Sequence, residues 1–435
     1  MRKQSFIFFF LCCLGLKSTA QEISLNGAWN FALDPLSRGE VLGWHLPWKI
    51  NEKDSANGYA AARFDVVNVP HCWSTDIRYN FVGKAWYRKA FKLPEDAKDK
   101  LVRIRFEAVY YKCRIFINGE IAAFHEGGYT PFEVNISKFI KQNQLNFITV
   151  EVDNSWTDLT VPGARMGDNP SAQFFPWYEY GGITRDVNIL LTDKVYVKNQ
   201  KIESTPNLST GKALVKIITW VENKSMKEEL VKVKPTIINR STKSTVVLNA
   251  NAEKEVTVKP FSVQKIIQDY EFASSDVLLW DFDNPNLYDV QTSLSFGEKS
   301  TTPYSTYFGI REFKVDGIQF KLNGKPIRVA GANRHSDHPI FGSTEPEELA
   351  KIDMSLQRNG HMIFARMNHT PPSKHFFKWA DENGYLLVNE IPNWQISAVL
   401  MTAQKVKDDF KSQLKEMVEA FWNSPSVVAY SAGNE

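Results

Sequence analysis

The sequence predicts a multidomain chain, mostly β and then α/β: two successive β-sandwiches followed by a parallel sheet dressed with helices. Three observations predict it. Short β-prone runs separated by turns fill residues 21–305, the texture of those runs changes near residue 193, and strand and helix alternate from about 317. A chain of 435 residues holds about two to four domains of ~100–200 residues each.

Residues 1–20 read as a signal peptide. Arg2 and Lys3 supply the positive end, and Phe6 to Leu16 is an apolar run shorter than the roughly 20 residues of a membrane helix. Ser18-Thr19-Ala20 is a small-residue cleavage site, so the mature chain begins at Gln21. Phe10 and Leu11 precede Cys12 where a lipoprotein signal needs small residues, which disfavours an anchor at Cys12 or Cys13. No other stretch is apolar enough to span a membrane, and the protein is expected to be exported, periplasmic or secreted.

Residues 21–192 form the first sandwich. Val102–Phe106, Arg114–Ile117 and Phe147–Val152 are β-prone runs, with turns such as Asn118-Gly119 between them. The span exceeds a seven-strand immunoglobulin domain and suits a jelly roll. Residues 193–305 form the second sandwich, immunoglobulin-like in length. Ala213–Val221, Leu230–Ile238, Thr245–Asn249 and 287–296 alternate apolar and polar positions there.

Residues 306–435 form the α/β part. Pro326–Ala332 is its first strand. A helix follows, with Thr344 as N-cap, Pro346 in its first turn, Glu347 three residues on and Gly360 at its end. His361–Met367 is the second strand, a helix runs from Ser373 to Gly384, and Tyr385–Ile391 is the third strand. Residues 402–422 carry Val406, Phe410, Leu414, Met417 and Phe421 at helical spacing, and Val427–Ala432 is the fourth strand. Such apolar strands, each followed by a helix, indicate a parallel sheet. Four strands and three helices fit half of an eight-fold barrel or a small doubly wound sheet. The first strand lacks a Gly-rich phosphate loop, which weakens the nucleotide-binding version.

Composition excludes some partners. The chain has 52 Lys and Arg against 49 Asp and Glu. The leader holds three of those cations (Arg2, Lys3 and Lys17) and no acid, so the mature chain is balanced. A nucleic-acid partner needs a basic face, and none is expected. Twelve Trp within 13% aromatics suit sugar faces as well as β cores. Cys72 and Cys113 read equally as a disulfide or as two buried thiols.

The chemistry lies at the strand ends. The first strand runs into Asn333-Arg334-His335 and then Asp337-His338, and the second into Arg366, Asn368 and His369. The third ends at Asn389-Glu390 and the fourth at Asn434-Glu435. In a barrel these ends share one rim, where active sites form. There is no G-x-S-x-G nucleophile elbow. Zinc held by His335, His338 and His369 is disfavoured, because neither H-E-x-x-H nor paired cysteines occur. A carboxylic acid beside an amide, with His and Arg around it, suits glycoside hydrolysis.

At this point the sequence resembles glycoside hydrolase family 2 over nearly its whole mature length. The resemblance is carried by Val69-Pro70-His71-Cys72-Trp73, Trp86-Tyr87-Arg88-Lys89, Asn118-Gly119, His125 through Phe132, and Gly181-Gly182-Ile183-Thr184-Arg185-Asp186-Val187. Further on come Trp280 with Asn284-Pro285-Asn286-Leu287-Tyr288, Phe308-Gly309-Ile310-Arg311, and Leu322-Asn323-Gly324-Lys325-Pro326. Gly331-Ala332-Asn333-Arg334-His335 and Ser431-Ala432-Gly433-Asn434-Glu435 complete it.

The resemblance implies a jelly roll, an immunoglobulin-like sandwich and the N-terminal half of a (β/α)8 barrel. It implies a retaining exo-acting β-glycosidase working on an oligosaccharide or polysaccharide. β-Galactosidase is favoured, because Asn333 through Pro339 resembles its barrel entrance. β-Glucuronidase is the alternative, and a non-catalytic carbohydrate-binding protein the alternative of another class. Position by position, Glu435 resembles the general acid/base and Asn434 the amide on the sugar 2-hydroxyl. His338, Arg366 and His369 match positions that hold the sugar or orient carboxylates.

Three departures stand out. Glu390-Ile391-Pro392-Asn393-Trp394-Gln395 lacks the Glu and His of metal-dependent members, so no cofactor is required and a divalent cation is in doubt. Asn368-His369-Thr370-Pro371 replaces the usual Ser-His-Tyr-Pro. The aromatic stretch Phe174, Phe175, Trp177, Tyr178 and Tyr180 replaces an acidic sugar contact. The family's nucleophile lies at the end of a seventh strand, so the four strands here are expected to be unstable or inactive on their own.

Overall fold

A computed structural model describes residues 21–48, 64–163, 180–248, 252–394, 396 and 398–434. The leader with Cys12 and Cys13, the aromatic residues Phe174, Phe175, Trp177 and Tyr178, and Glu435 lie outside the described residues.

Alternation of apolar and polar residues builds the first sandwich. Its four-stranded sheet runs Gln21–Ser24, Val187–Thr192, Leu101–Phe106, Phe132–Asn135 in spatial order. Its six-stranded sheet is centred on Gly27–Asp34, Lys84–Lys92 and Leu145–Asp153. All these pairings are antiparallel. Side chains two apart on facing strands, such as Ile104 with Phe106 and Ile115 with Ile117, fill one core between the sheets. Cys113 sits in that core and Cys72 in a separate buried cluster with Tyr110 and Tyr111, both as free thiols. Burial pushes the Cys72 thiol up to about 11, so it is an unreactive packing group.

The second sandwich packs Val195–Pro206, Ala213–Asn223 and Ser262–Phe272 against a sheet centred on Glu229–Asn239 and Tyr288–Phe296. Of the strand expected at Thr245–Asn249, the described residues 245–248 form a bridge between Ile238 and Thr245. Its Val246 still reaches the core, so the apolar pattern reported burial rather than a ladder.

A small antiparallel sheet (Phe313–Asp316, Gln319–Leu322, Lys325–Ile327) leads into the α/β part. It claims Pro326 and Ile327, so the first parallel strand is Gly331–Arg334 rather than Pro326–Ala332. The hairpin Asn323-Gly324 pairs the incoming segment with its predecessor before it can join the parallel sheet. Phe364–Met367, Leu386–Glu390 and Val427–Ser431 follow as the second, third and fourth strands, all parallel and in sequence order. Helices α1 (Glu347–Asn359), α2 (Lys374–Asn383) and α3 (Gln404–Phe421) lie between them in sequence. Ala365, Met367 and Leu387 pack on Met354 of α1 and on Phe376, Phe377 and Ala380 of α2. The opposite face of the strands carries Arg366, Val388 and Glu390.

Helix α1 starts later than its capping signal suggests. Pro346 is its N-cap, and the Thr344 hydroxyl turns back to the carbonyl of Phe341. Glu345 between them has φ 51°, a left-handed conformation that a helix cannot contain. Its carboxylate is buried against two arginines, which holds the residue there. By contrast α2 ends as its sequence directs. Gly384 adopts φ 63°, and a Cβ there would lie 2.5 Å from the carbonyl oxygen of Asp281. Among the described residues no helix is long and apolar enough to cross a membrane.

Candidate active site

The parallel strands deliver their terminal side chains to one end of the sheet, and a buried carboxylate gathers them. Glu390 ends the third strand with its side chain fully buried. Its Oε2 accepts from Arg366 Nε at 2.9 Å, from Arg366 Nη2 at 2.7 Å and from Ser431 Oγ at 2.7 Å. Its Oε1 lies 2.6 Å from His369 Nδ1. Strand register explains the convergence: Arg366 pairs with Val388 on the adjacent strand, and Glu390 pairs with Ser431 on the next. Burial alone would raise the Glu390 pKa, but the bonds from His369, Ser431 and Arg366 outweigh it and hold the carboxyl below its usual range.

Arg366 reaches one group further. Its Nη2 donates to Asn434 Oδ1 at 2.9 Å. Asn434 is held from the other side too, since its backbone N–H donates to the carbonyl of Asn393 at 2.8 Å. Gly433 makes that approach feasible: it has φ 149°, and a Cβ would sit 2.6 Å from the Asn393 oxygen.

His335 stands beside this cluster. Asn368 Nδ2 lies 2.9 Å from its Nε2, and its ring meets that of His369 edge-on at 5.2 Å. Burial, then the neighbouring His369, lowers its pKa below the histidine norm. The Asn368–His369 peptide bond is cis. Trp394 closes one side with its ring 6.2 Å from His369, and Trp156 of the first sandwich packs edge-on against Trp394 at 6.0 Å.

Not every residue singled out on the rim joins the cluster. Arg366, His369 and Asn434 come together around Glu390. His338 stays on the loop after the first strand, where its Nδ1 accepts from the backbone of Ile340 and Phe341 and its ring stacks on Phe341. Arg334 turns to the helix side, where it pairs with Glu345 and with Asp353 at 3.1 Å and lies 3.9 Å over the Phe376 ring. Period-two alternation sends it there, away from Asn333 and His335. Asp337 is exposed. Among the described residues, no three His, Cys, Asp or Glu side chains are grouped to hold a metal ion, His335, His338 and His369 included.

Sequence reasoning put Glu390 on the rim without seeing that it organises the site. The available signal was a Glu closing the third strand beside an Arg and a His closing the second. It also missed Glu345, which accepts from Ser373 N at 2.6 Å and pairs with Arg334 and with Arg185 of the first sandwich.

Comparison with known proteins agrees across the chain. The family model described as glycosyl hydrolases family 2, sugar binding domain, matches residues 23–193. Glycosyl hydrolases family 2 matches 195–311, and its TIM barrel domain matches 313–435. A β-galactosidase of Thermoanaerobacterium thermosulfurigenes is 31% identical over 84% of this chain and 49% of its own length. A putative β-glucuronidase of Formosa agariphila is 29% identical over 88% of this chain and 44% of its own length. The chain spans about half the length of the curated relatives it matches. Among solved structures, a Bacteroides uniformis β-glucuronidase is 24% identical and superposes with a TM-score of 0.79, covering 94% of this chain and 46% of that one. A β-glucuronidase from Ruminococcus gnavus in complex with D-glucuronic acid is 23% identical with a TM-score of 0.78, covering 95% and 67%. These two show likeness of fold.

Proposed function

The chain belongs to glycosyl hydrolase family 2, and on that footing we propose that it serves a retaining, exo-acting β-glycosidase that removes terminal β-linked sugars from oligosaccharides or polysaccharides. The observation that carries this reading is the cluster at the strand ends. A buried Glu390 fixes Arg366 and His369, and Arg366 fixes the Asn434 amide.

In the proposed mechanism Glu435 is the general acid/base. It protonates the departing glycosidic oxygen and later deprotonates the incoming water, while a second carboxylate attacks the sugar. Asn434 bonds the sugar 2-hydroxyl. Its Oδ1 is engaged by Arg366, so Nδ2 is the group it offers. His369 and Arg366 hold the sugar or orient carboxylates, and His338 contributes from its loop. The leader makes the protein an exported one, periplasmic or secreted.

β-Galactosidase is the favoured activity. β-Glucuronidase is the second reading, since relatives of both names match the chain. Steady-state rates on nitrophenyl β-galactoside and nitrophenyl β-glucuronide separate them, with the galactoside expected to be the better substrate. Glu435→Gln is expected to abolish turnover of an unactivated disaccharide and largely spare the first release of nitrophenol from a nitrophenyl glycoside, whose leaving group needs no proton, while the water step that follows is slowed. An unchanged rate on both substrates would remove Glu435 from the acid role. Sugar binding without turnover of any glycoside would leave a carbohydrate-binding protein.

A further inference from the structure

A carboxylate can accept hydrogen bonds and cannot donate them. Glu390 is held as a carboxylate, so every group around it must present a proton. Three of its contacts meet that demand automatically, since Arg366 Nε, Arg366 Nη2 and Ser431 Oγ are donors. The fourth does not. A neutral imidazole carries its proton on either nitrogen, and the 2.6 Å contact between His369 Nδ1 and Glu390 Oε1 requires that nitrogen to be the protonated one.

The same reasoning extends through Arg366. A guanidinium has only donors, so the atom of Asn434 facing it at 2.9 Å is the amide oxygen and the NH2 group points the other way. One buried carboxylate thus keeps a proton on His369 Nδ1 and, through Arg366, leaves Asn434 its NH2 group to offer.

We propose that Glu390 is a positioning residue that keeps the proton of His369 on Nδ1 and, through Arg366, sets the amide orientation of Asn434, so that the rim meets a sugar hydroxyl with a fixed donor, the Asn434 NH2 group. The inference rests on the glycosidase reading for its ligand and not for its geometry. Two supporting features are independent of that reading. The carboxylate is buried among charged and hydroxyl donors from two neighbouring strands, where solvent cannot substitute for it. The Ser431 hydroxyl also belongs to the segment that carries Asn434 and donates onward to the same carboxylate, which ties the fourth strand's end to the third.

The test uses Glu390→Gln and Glu390→Asp in the full protein. Glutamine keeps the shape, but one of its two head atoms is a donor. Facing Arg366 and Ser431 with its oxygen, it turns its NH2 toward His369 and is satisfied only if Nδ1 loses its proton to Nε2. Long-range ¹H–¹⁵N spectra of the histidine rings, with His369→Gln for assignment, are expected to show His369 with Nδ1–H in the wild type and with Nε2–H in Glu390→Gln. Titration calorimetry with galactose and with glucuronic acid is expected to show whichever sugar binds weakened about tenfold in Glu390→Gln, the cost of one mismatched hydrogen bond. Glu390→Asp keeps the acceptor and is expected to restore the Nδ1–H tautomer.

Thermal melting separates this from a loss of fold. An unchanged tautomer and unchanged affinity in a folded Glu390→Gln protein would overturn the proposal, even if its Tm fell. A wild-type protein that binds neither sugar would count against the glycosidase reading instead, and the ring spectra would still decide the role of Glu390.

Discussion

At the scale of single residues, the site turns on which atoms can donate. Arg366 makes two bonds to one carboxylate oxygen and a third to Asn434. That work depends on a planar fork. Lysine would keep the charge and lose the geometry, because an ammonium is a point donor on a flexible stem. Arg366→Lys is therefore expected to fold with a small loss of Tm while sugar affinity drops about tenfold, the equivalent of ~1.4 kcal/mol. Calorimetric titration with the preferred sugar checks it, and an affinity equal to wild type would show that charge alone suffices. His338 illustrates the opposite case. It resembles a sugar-holding residue by motif, yet its ring nitrogen and its face are both engaged within its own loop.

At the scale of elements, the second sandwich is docked on the α/β part through polar groups that the strand and helix patterns conceal. Trp280 is fully buried and its Nε1 donates to the carbonyl of Asp381 at 2.7 Å, in α2. Arg311 donates to the carbonyls of Pro425 and Val427 at the start of the fourth strand. The Asp381 side chain accepts from Ser424 Oγ, Ser426 N and Tyr307 Oη. Burial pushes the Asp381 carboxyl up from 3.8 to about 6 despite those donors. A raised carboxyl means that the folded state binds a proton more tightly than the unfolded one. Between about 4 and about 6 the unfolded chain ionises first, so this group costs stability as pH rises through that window. Asp381→Asn removes the ionisation and keeps the contacts: its oxygen accepts from Ser424 and Ser426, and its NH2 donates to the Tyr307 hydroxyl. Calorimetric melting is expected to show the variant at least as stable as wild type at pH 7.5, with a flatter profile between pH 4 and 6. A variant that melts well below wild type at pH 7.5 would show that the ionised carboxylate is needed there.

At the scale of the whole molecule, a buried acid is one of the ties between the first sandwich and the α/β part. Glu345 has no exposure and pairs with Arg185 of the sandwich and Arg334 of the first parallel strand. Arg185 also donates to the carbonyls of Tyr129 and Pro371, so the Gly-Gly-Ile-Thr-Arg-Asp motif of the sandwich ends in an interdomain tie. Removing one partner of a buried pair costs roughly 3–5 kcal/mol, because the remaining charge is left uncompensated. Glu345→Gln is expected to lower Tm and to split a single calorimetric transition into two as the sandwich melts apart. Burial would raise the Glu345 pKa, but Arg334 and Arg185 hold it below the usual value. Its contribution is then present above the unfolded pKa near 4.5 and lost as pH falls through the folded one. The variant should accordingly lose less stability than wild type on acidification below about pH 4.5. A single transition at the wild-type Tm would show that the remaining ties, such as Gln413 to the Val161 carbonyl and Lys374 to Asp186, hold the domains without Glu345.

Much of this protein is legible along the chain. Period-two runs such as Val102–Phe106 give sandwich strands, and the Ser373 to Gly384 span gives a helix with its C-cap glycine. The order of short motifs gives the family, and the strand ends give Arg366, His369 and Asn434. These are local properties, set by backbone sterics and by which face of an element is apolar. What tertiary structure decided is everything that depends on distance between elements. It took Pro326 into a hairpin, delayed α1 behind the left-handed Glu345, and turned Arg334 from the rim to the interior. It also made Glu390 the centre of the site, because strand register brings Ser431, Arg366 and His369 to one buried carboxylate across 41, 24 and 21 residues of chain. A carboxylate's role depends on the donors that surround it and on the water it has lost, and neither is written in the residues beside it.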